Sequence, residues 1–203
     1  TALMMLHEYV KLEPGDWVIQ DAANSGVGNC IIKLAKAFGA KTVNIVRRKE
    51  LASQLIEIGA DAVVLDGEGL VERVKSATGG GKVVLGIDAV AGDTSMRVAE
   101  CLADGGKLVN YGMLSGEPCK IMPDWLVFRG ISLYGYWLAK RLNEMTQSEI
   151  KEMYNQLSNY ISDGTLNVPV EATYSIDDIK MALEHAASNG RSGKIIVTPN
   201  GVT

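Results

Sequence analysis

The sequence predicts an α/β fold built on a doubly wound parallel sheet (Rossmann type), and three features of it carry that prediction. Short apolar runs alternate with helix-period segments over most of the chain, the pattern of βαβ units with right-handed crossovers. Those runs are Val-, Ile- and Leu-rich without polar alternation, as expected of strands covered on both faces. The first run, Trp17 to Gln20, stops at a small-residue turn, Ala22-Ala23-Asn24-Ser25-Gly26-Val27-Gly28, that opens a helix.

Taken in order, an amphipathic opening segment (Leu3, Leu6, Tyr9, Val10) leads into the turn Glu13-Pro14-Gly15-Asp16. Strands are expected at Trp17–Gln20, Thr42–Val46, Ala62–Leu65, Val83–Asp88, Lys107–Tyr111 and Ile131–Tyr136. Between them, helices are expected at Val27–Phe38, Glu50–Ile58, Gly69–Ala77, Asp93–Ala103 and Pro123–Phe128. From Gln147 to Ser162 the residues Ile150, Met153, Tyr154, Leu157 and Ile161 form one helical stripe, ended by Asp163-Gly164. A strand over Val168–Tyr174, a helix opening at Ser175 with Asp178 at the capping-box distance, and a strand over Lys194–Thr198 follow.

Bulk properties narrow the function. The 203 residues are 47% hydrophobic, enough for a core, and carry a net charge of -4. That charge argues against a general affinity for nucleic acid or an anionic membrane. No apolar run is long enough to span a bilayer. Cys30, Cys101 and Cys119 lie far apart with no C-x-x-C spacing, so a disulfide framework or a zinc site is not expected. They read as two small buried hydrophobes and one loop residue. A reducing compartment is expected, the cytoplasm or, in a eukaryote, the mitochondrial matrix.

A strand feeding a helix through small residues is a place to hold a diphosphate, because free N–H groups and the helix dipole point at it. The dinucleotide fingerprint wants small residues for a tight turn, for close approach of backbone to diphosphate, and for close helix–strand packing. Here Ala23, Ser25 and Gly28 fill those slots. Alanine serves if the turn keeps φ negative, and the serine hydroxyl can itself donate to a phosphate oxygen. A ligand-free turn is the alternative. At the end of the second strand, where NAD-binding domains carry an acidic residue about 20 residues past the glycines, this chain has Arg47-Arg48-Lys49. Guanidinium groups suit a ribose 2′-phosphate, so the expected cofactor is NADPH. The competing reading, a solvated basic helix start, leaves unexplained why cations stand at an unfavourable helix end. Small residues at Ala89 and Gly112 leave room for a nicotinamide ribose, with Tyr111, Met113, Tyr136 and Trp137 beside it. Asp88 is equally a turn cap and Trp137 equally a core residue.

These motifs resemble the medium-chain dehydrogenase/reductase superfamily, in its zinc-independent branch of quinone reductases and 2-enoyl thioester reductases. The likeness rests on LEPGDWVIQDAANSGVG, GADAVV from Gly59, GGKLVNYGMLSGEP from Gly105, FRGISLYGYWL from Phe128 and RSGKIIVTP from Arg191. It implies a cofactor domain over residues 1–165, including a linker helix, and a segment 166–203 that returns to a substrate domain preceding this sequence. It further implies hydride transfer from NADPH to the β-carbon of an activated double bond, with a proton-donating tyrosine in that preceding domain. Catalytic residues and zinc ligands are therefore not assigned within this chain. Asn24, Ser25, Gly26, Val27 and Gly28 would serve the diphosphate, Arg47 and Arg48 the 2′-phosphate, and Lys194 the cofactor as well, unless it merely starts an edge strand.

Three readings follow: an enoyl thioester reductase, a quinone or aldehyde reductase, or a nucleotide-binding module inactive by itself. The resemblance also implies a homodimer through the edge strand Ile131–Tyr136. Apolar residues Val168, Val170, Ile195 and Val197 would lack their partner, and self-association there is a second expectation. His7 and His185 have no evident nucleophile partner and read as solvated helix residues.

Overall fold

Aliphatic residues, with a few buried polar ones among them, build the strands that the alternation predicts. The computed structural model describes residues 1–188, 191 and 193–200. Six parallel strands, β1 (Trp17–Gln20), β2 (Lys41–Val46), β3 (Ala62–Leu65), β4 (Val83–Asp88), β5 (Lys107–Asn110) and β6 (Ser132–Gly135), form one sheet in the order β3-β2-β1-β4-β5-β6. Chain direction along the sheet reverses between β1 and β4, which pair directly from Trp17↔Val83 to Gln20↔Ile87. That reversal opens a crevice at the C-terminal strand ends, where ligands of such sheets bind.

Because side chains alternate across a strand, each strand feeds two apolar layers. Val18, Leu85, Ile87 and Val109 face one layer with α1 (Ala2–Glu8) and α2 (Gly26–Ala37). Ile19, Val43, Ile45 and Leu108 face the other, with α4 (Leu70–Thr78) and α5 (Gly92–Glu100). Each fully buried aliphatic side chain contributes about 1.5–3 kcal/mol. Gly86 is required on the second face: a Cβ there would stand 2.9 Å from Val98 Cγ1 and 3.0 Å from Leu108 Cδ1. The remaining helices are α3 (Ala52–Glu57, after a 3-10 turn at Lys49–Leu51), α6 (Pro123–Phe128), α7 (Leu138–Glu144) and α8 (Gln147–Ser162). Thr146 and Glu149 close a reciprocal capping box at the start of α8.

Several boundaries differ from expectation. Helix α7 is not legible in the sequence, because only Leu138 and Leu142 give it an apolar stripe. Tertiary contact holds it, with Arg141 Nε donating to Glu8 Oε1 at 2.5 Å. Strands β5 and β6 end one residue early, although Tyr136 N–H still donates to Asn110 O at 2.8 Å. All three cysteines are half-buried and free.

The C-terminal segment forms a separate parallel pair, β7 (Val170–Ser175) and β8 (Lys194–Thr198), with α9 (Ile179–Ala187) packed on it after a 3-10 turn at Ile176–Asp178. Val168 and Val170 are exposed, but Ile195 and Val197 are half-buried and Ile196 takes the outward position. His185 is not a solvated helix residue. Its ring joins Tyr174 Oη (2.9 Å) to Glu171 Oε1 (3.1 Å), tying α9 to β7. Ser192 of the closing motif and residues 201–203 lie outside the described residues.

Candidate nucleotide-binding cleft

The turn after β1 is shaped by packing. Ser25 is the N-cap of α2, and its Oγ accepts from Gly28 N–H at 3.0 Å, leaving the N–H groups of Gly26 and Val27 without intrahelical acceptors. Gly28 fills the helix–strand packing slot, since a Cβ there would stand 2.4 Å from Ala23 O. The turn does not need glycine at Ala23; the positive φ of 43° falls on Ala22 instead. A buried amide network braces the turn from beneath. Gln20 Nε2 donates to Gly28 O (3.0 Å) and to Asn44 Oδ1 (2.7 Å), and Asn44 Nδ2 donates to Thr42 Oγ1 and Ala62 O. Nothing in the sequence marks these groups except that they are polar residues inside apolar strands.

Above the turn lies a cleft of about 1310 Å³. Of the residues expected from sequence, Asn24, Ser25, Gly26, Val27, Arg47, Arg48, Ala89, Tyr111, Gly112 and Lys194 line it. Residues not anticipated also line it, among them Ala22, Asn29, Cys30, Leu114, Val168, Ser188 and Arg191. Lys194 comes from β8 yet reaches the start of α2, its Nζ 3.3 Å from where a Gly26 Cβ would be. Four cations, Arg47, Arg48, Arg191 and Lys194, stand on the cleft wall, and among the described residues no Asp or Glu does.

Four expected residues stand elsewhere. Gly28 lies beneath the cleft as a packing contact. Met113 points outward, 71% exposed, and Leu114 takes the lining position. Tyr136 is buried in the apolar layer with α1. Trp137, as its neighbour in extended chain, faces the opposite way into solvent and caps α7. Tyr111 does reach the cleft, where its hydroxyl hydrogen-bonds Ser25. Burial raises that hydroxyl above its ordinary value, and burial likewise raises the Cys30 thiol, so both are neutral near pH 7.

Comparison with known proteins follows the same lines. The profile of the zinc-binding dehydrogenase family matches residues 26–159. The chain belongs to that family. Among the described residues no group of three or more His, Cys, Asp or Glu is placed to hold a metal ion. The mitochondrial enoyl-[acyl-carrier-protein] reductase of Rattus norvegicus is 34% identical over 203 residues, covering 98% of this chain and 54% of that protein. This member of the zinc-binding dehydrogenase family thus spans about half the length of the curated relatives it matches. The mitochondrial 2-enoyl thioester reductase Etr1p/Etr2p heterodimer from Candida tropicalis superposes with TM-score 0.83 at 26% identity, over 98% of this chain and 58% of that one. A complex of Etr1p with NADP and crotonyl-CoA superposes with TM-score 0.83 at 25% identity, with the same coverage. An NADPH:quinone reductase structure from Bacillus thuringiensis, TM-score 0.87 at 22% identity over 97% of this chain and 60% of that one, shares the fold. The enoyl reductases among these belong to the branch that the sequence motifs resemble. Among the described residues no helix is long and apolar enough to cross a membrane.

Proposed function

We propose that this chain is the NADPH-binding part of an oxidoreductase that reduces activated double bonds of enoyl thioesters. The observation that carries the reading is the cleft over the β1/β4 crevice, walled by Arg47, Arg48, Arg191 and Lys194 with no lining carboxylate among the described residues. A chain of net charge -4 that gathers four cations there is built for a polyanion. NADPH, when bound, supplies the hydride. The N–H groups of Gly26 and Val27, the Ser25 hydroxyl and Lys194 Nζ hold the diphosphate. Arg47 and Arg48 neutralise the 2′-phosphate, with Arg191 on the same wall. Ala89 and Gly112 leave room for the nicotinamide ribose, and Tyr111 fixes the edge of the pocket through Ser25. Exclusion of water and positioning of the reacting carbon are the contribution of such a site to hydride transfer.

Residues 166–203 belong, on this reading, to a substrate domain of a longer protein, and the catalytic proton donor lies outside residues 1–203. The mitochondrial names of the relatives support a matrix location for a eukaryotic parent. Strand β6, at the sheet edge, and the exposed face of α6 offer a homodimer contact.

The test is calorimetric titration with NADPH and with NADH. NADPH is expected to bind more tightly, and Arg47→Ala with Arg48→Ala to erase the preference by about a hundredfold, the scale of two charge-assisted phosphate contacts. Equal affinity for both nucleotides would sink the assignment of the arginines. Binding of neither would favour an inactive module. Turnover of crotonyl thioester against quinone by the longer protein separates the two reductase classes.

A further inference from the structure

Two carboxyl groups close the floor of the crevice. Asp21 follows β1 and Asp88 ends β4, and they are 2% and 0% exposed. Asp21 Oδ1 accepts from Ala89 N–H at 2.7 Å. Asp88 Oδ1 accepts from the N–H groups of Val90 (2.9 Å) and Ala91 (2.8 Å), and its Oδ2 accepts from Asn110 Nδ2 at 2.9 Å. Asp21 Oδ2 is buried and finds no donor among the described residues, and the Asp88 carboxyl is near enough to bear on the Asp21 proton. Among the described residues no lysine, arginine or histidine bonds to either group. The other titratable groups facing the pair are the Tyr111 hydroxyl, which senses both carboxyls, and Cys119 Sγ, 3.9 Å from Asp88 Oδ2. Burial holds each of these in its neutral form near pH 7. Two bare carboxylates in contact at a dry site repel strongly, and a single proton relieves them by turning one into a donor.

We propose that Asp21 and Asp88 share one proton across the β1/β4 crevice, and that this proton sets the charge which the cofactor diphosphate meets. Asp21 is a positioning residue: it holds the Ala89 backbone, which lines the cleft, and follows directly into Ala22, which also lines it. Burial first, and the Asp88 carboxyl second, push Asp21 up to about 9. Below that pH the pair carries one negative charge, and above it two, directly under an anionic ligand. The inference rests on the nucleotide reading of the cleft.

The experiment has two arms on wild-type, Asp21→Asn and Asp88→Asn proteins. NADPH titrations from pH 7 to 10 are expected to show wild-type affinity falling about tenfold between pH 8 and 10, as the shared proton is lost. Asp21→Asn keeps a donor toward Asp88, and its profile is expected to stay flatter than that of wild type. Asp88→Asn removes the like charge but not the burial, and is expected to move the fall in affinity to lower pH, which covers the case of Asp21→Asn failing to fold. Melting without cofactor is the second arm. A raised carboxyl stabilises the fold most at low pH and loses that contribution as pH rises toward 9, so the wild-type Tm should fall more steeply from pH 5 to 9 than that of either variant. Parallel pH profiles in both arms overturn the shared proton. No NADPH binding at any pH, with the Tm difference present, overturns the coupling through failure of the cleft reading and leaves the carboxyl pair standing.

Discussion

Gly28 shows how a single atom decides this site. Its missing Cβ would stand 2.4 Å from Ala23 O and 2.8 Å from Ala23 Cα, and backbone cannot yield as a flexible side chain does. Gly28→Ala is therefore expected to push α2 away from β1, costing about 1–3 kcal/mol and most of the NADPH affinity. A lowered Tm with lost binding would bear this out, whereas wild-type melting and affinity would show that the turn has slack. Strain is tolerated nearby: Ala22 and Ala91 hold φ of 43° and 65°, conformations that cost an L-residue about 1–3 kcal/mol. Both alanines line or adjoin the crevice, and the hydrogen bond from Ala91 N–H to Asp88 Oδ1 (2.8 Å) is part of what holds the second.

Between elements, side-chain bonds fix the order that apolar packing alone leaves loose. Asp66, just past β3, receives two hydrogen bonds from Arg97 of α5, Nε at 2.8 Å and Nη2 at 2.7 Å, and a third from Thr94. Burial is the largest influence and would raise the Asp66 carboxyl, but the Arg97 guanidinium, the Gly67 N–H and the Thr94 hydroxyl together hold it below its ordinary value. The side chains are 25% and 18% exposed, so solvent trims the pair to about 1–2 kcal/mol. A depressed carboxylate contributes stability above its unfolded value of about 3.9 and loses it as pH falls through the folded one. Arg97→Ala should thus be less stable than wild type in urea at pH 7, and the gap should close in acid. A gap independent of pH would mean that Arg97 acts through its stem alone. The pair is invisible in sequence because its partners are 31 residues apart; the Tyr174–His185–Glu171 chain was missed for the same reason.

At the scale of the molecule, charge and apolar surface are segregated. Cations gather on the cleft, while Val127 and Phe128 of α6 are 72% and 83% exposed and Tyr134 of β6 is 40% exposed. An unpaired edge strand beside such a patch favours pairing with a second copy. Light scattering at tens of micromolar is expected to report a dimer, and Phe128→Glu a monomer. A wild-type monomer would remove this contact from the reading. A dimer that survives Phe128→Glu but not Val168→Lys with Val170→Lys would move the interface to β7, whose exposed valines are the competing route.

How much was legible follows from range. The alternation of elements and the small-residue turn come from local periodicity and spacing, so β1 to β4 and the cleft residues from Asn24 to Val27 could be read directly. Arg47 and Arg48 were legible because the end of β2 is a fixed distance from the turn in this topology. Tyr136 and Trp137 were misplaced relative to the cleft, because sequence gives a strand's end but not which side each residue takes once the ladder stops. The sequence by itself determined the fold class and the small-residue turn that opens α2, since both depend on contacts within a few residues. Only the tertiary structure decided that Arg191 joins the cleft wall, that Lys194 reaches the start of α2, and that Asp21 lies near Asp88 beneath the cleft. Strand order sets β1 beside β4 and so brings Asp21 near Asp88, whereas Lys194 arrives from the separate β7–β8 pair.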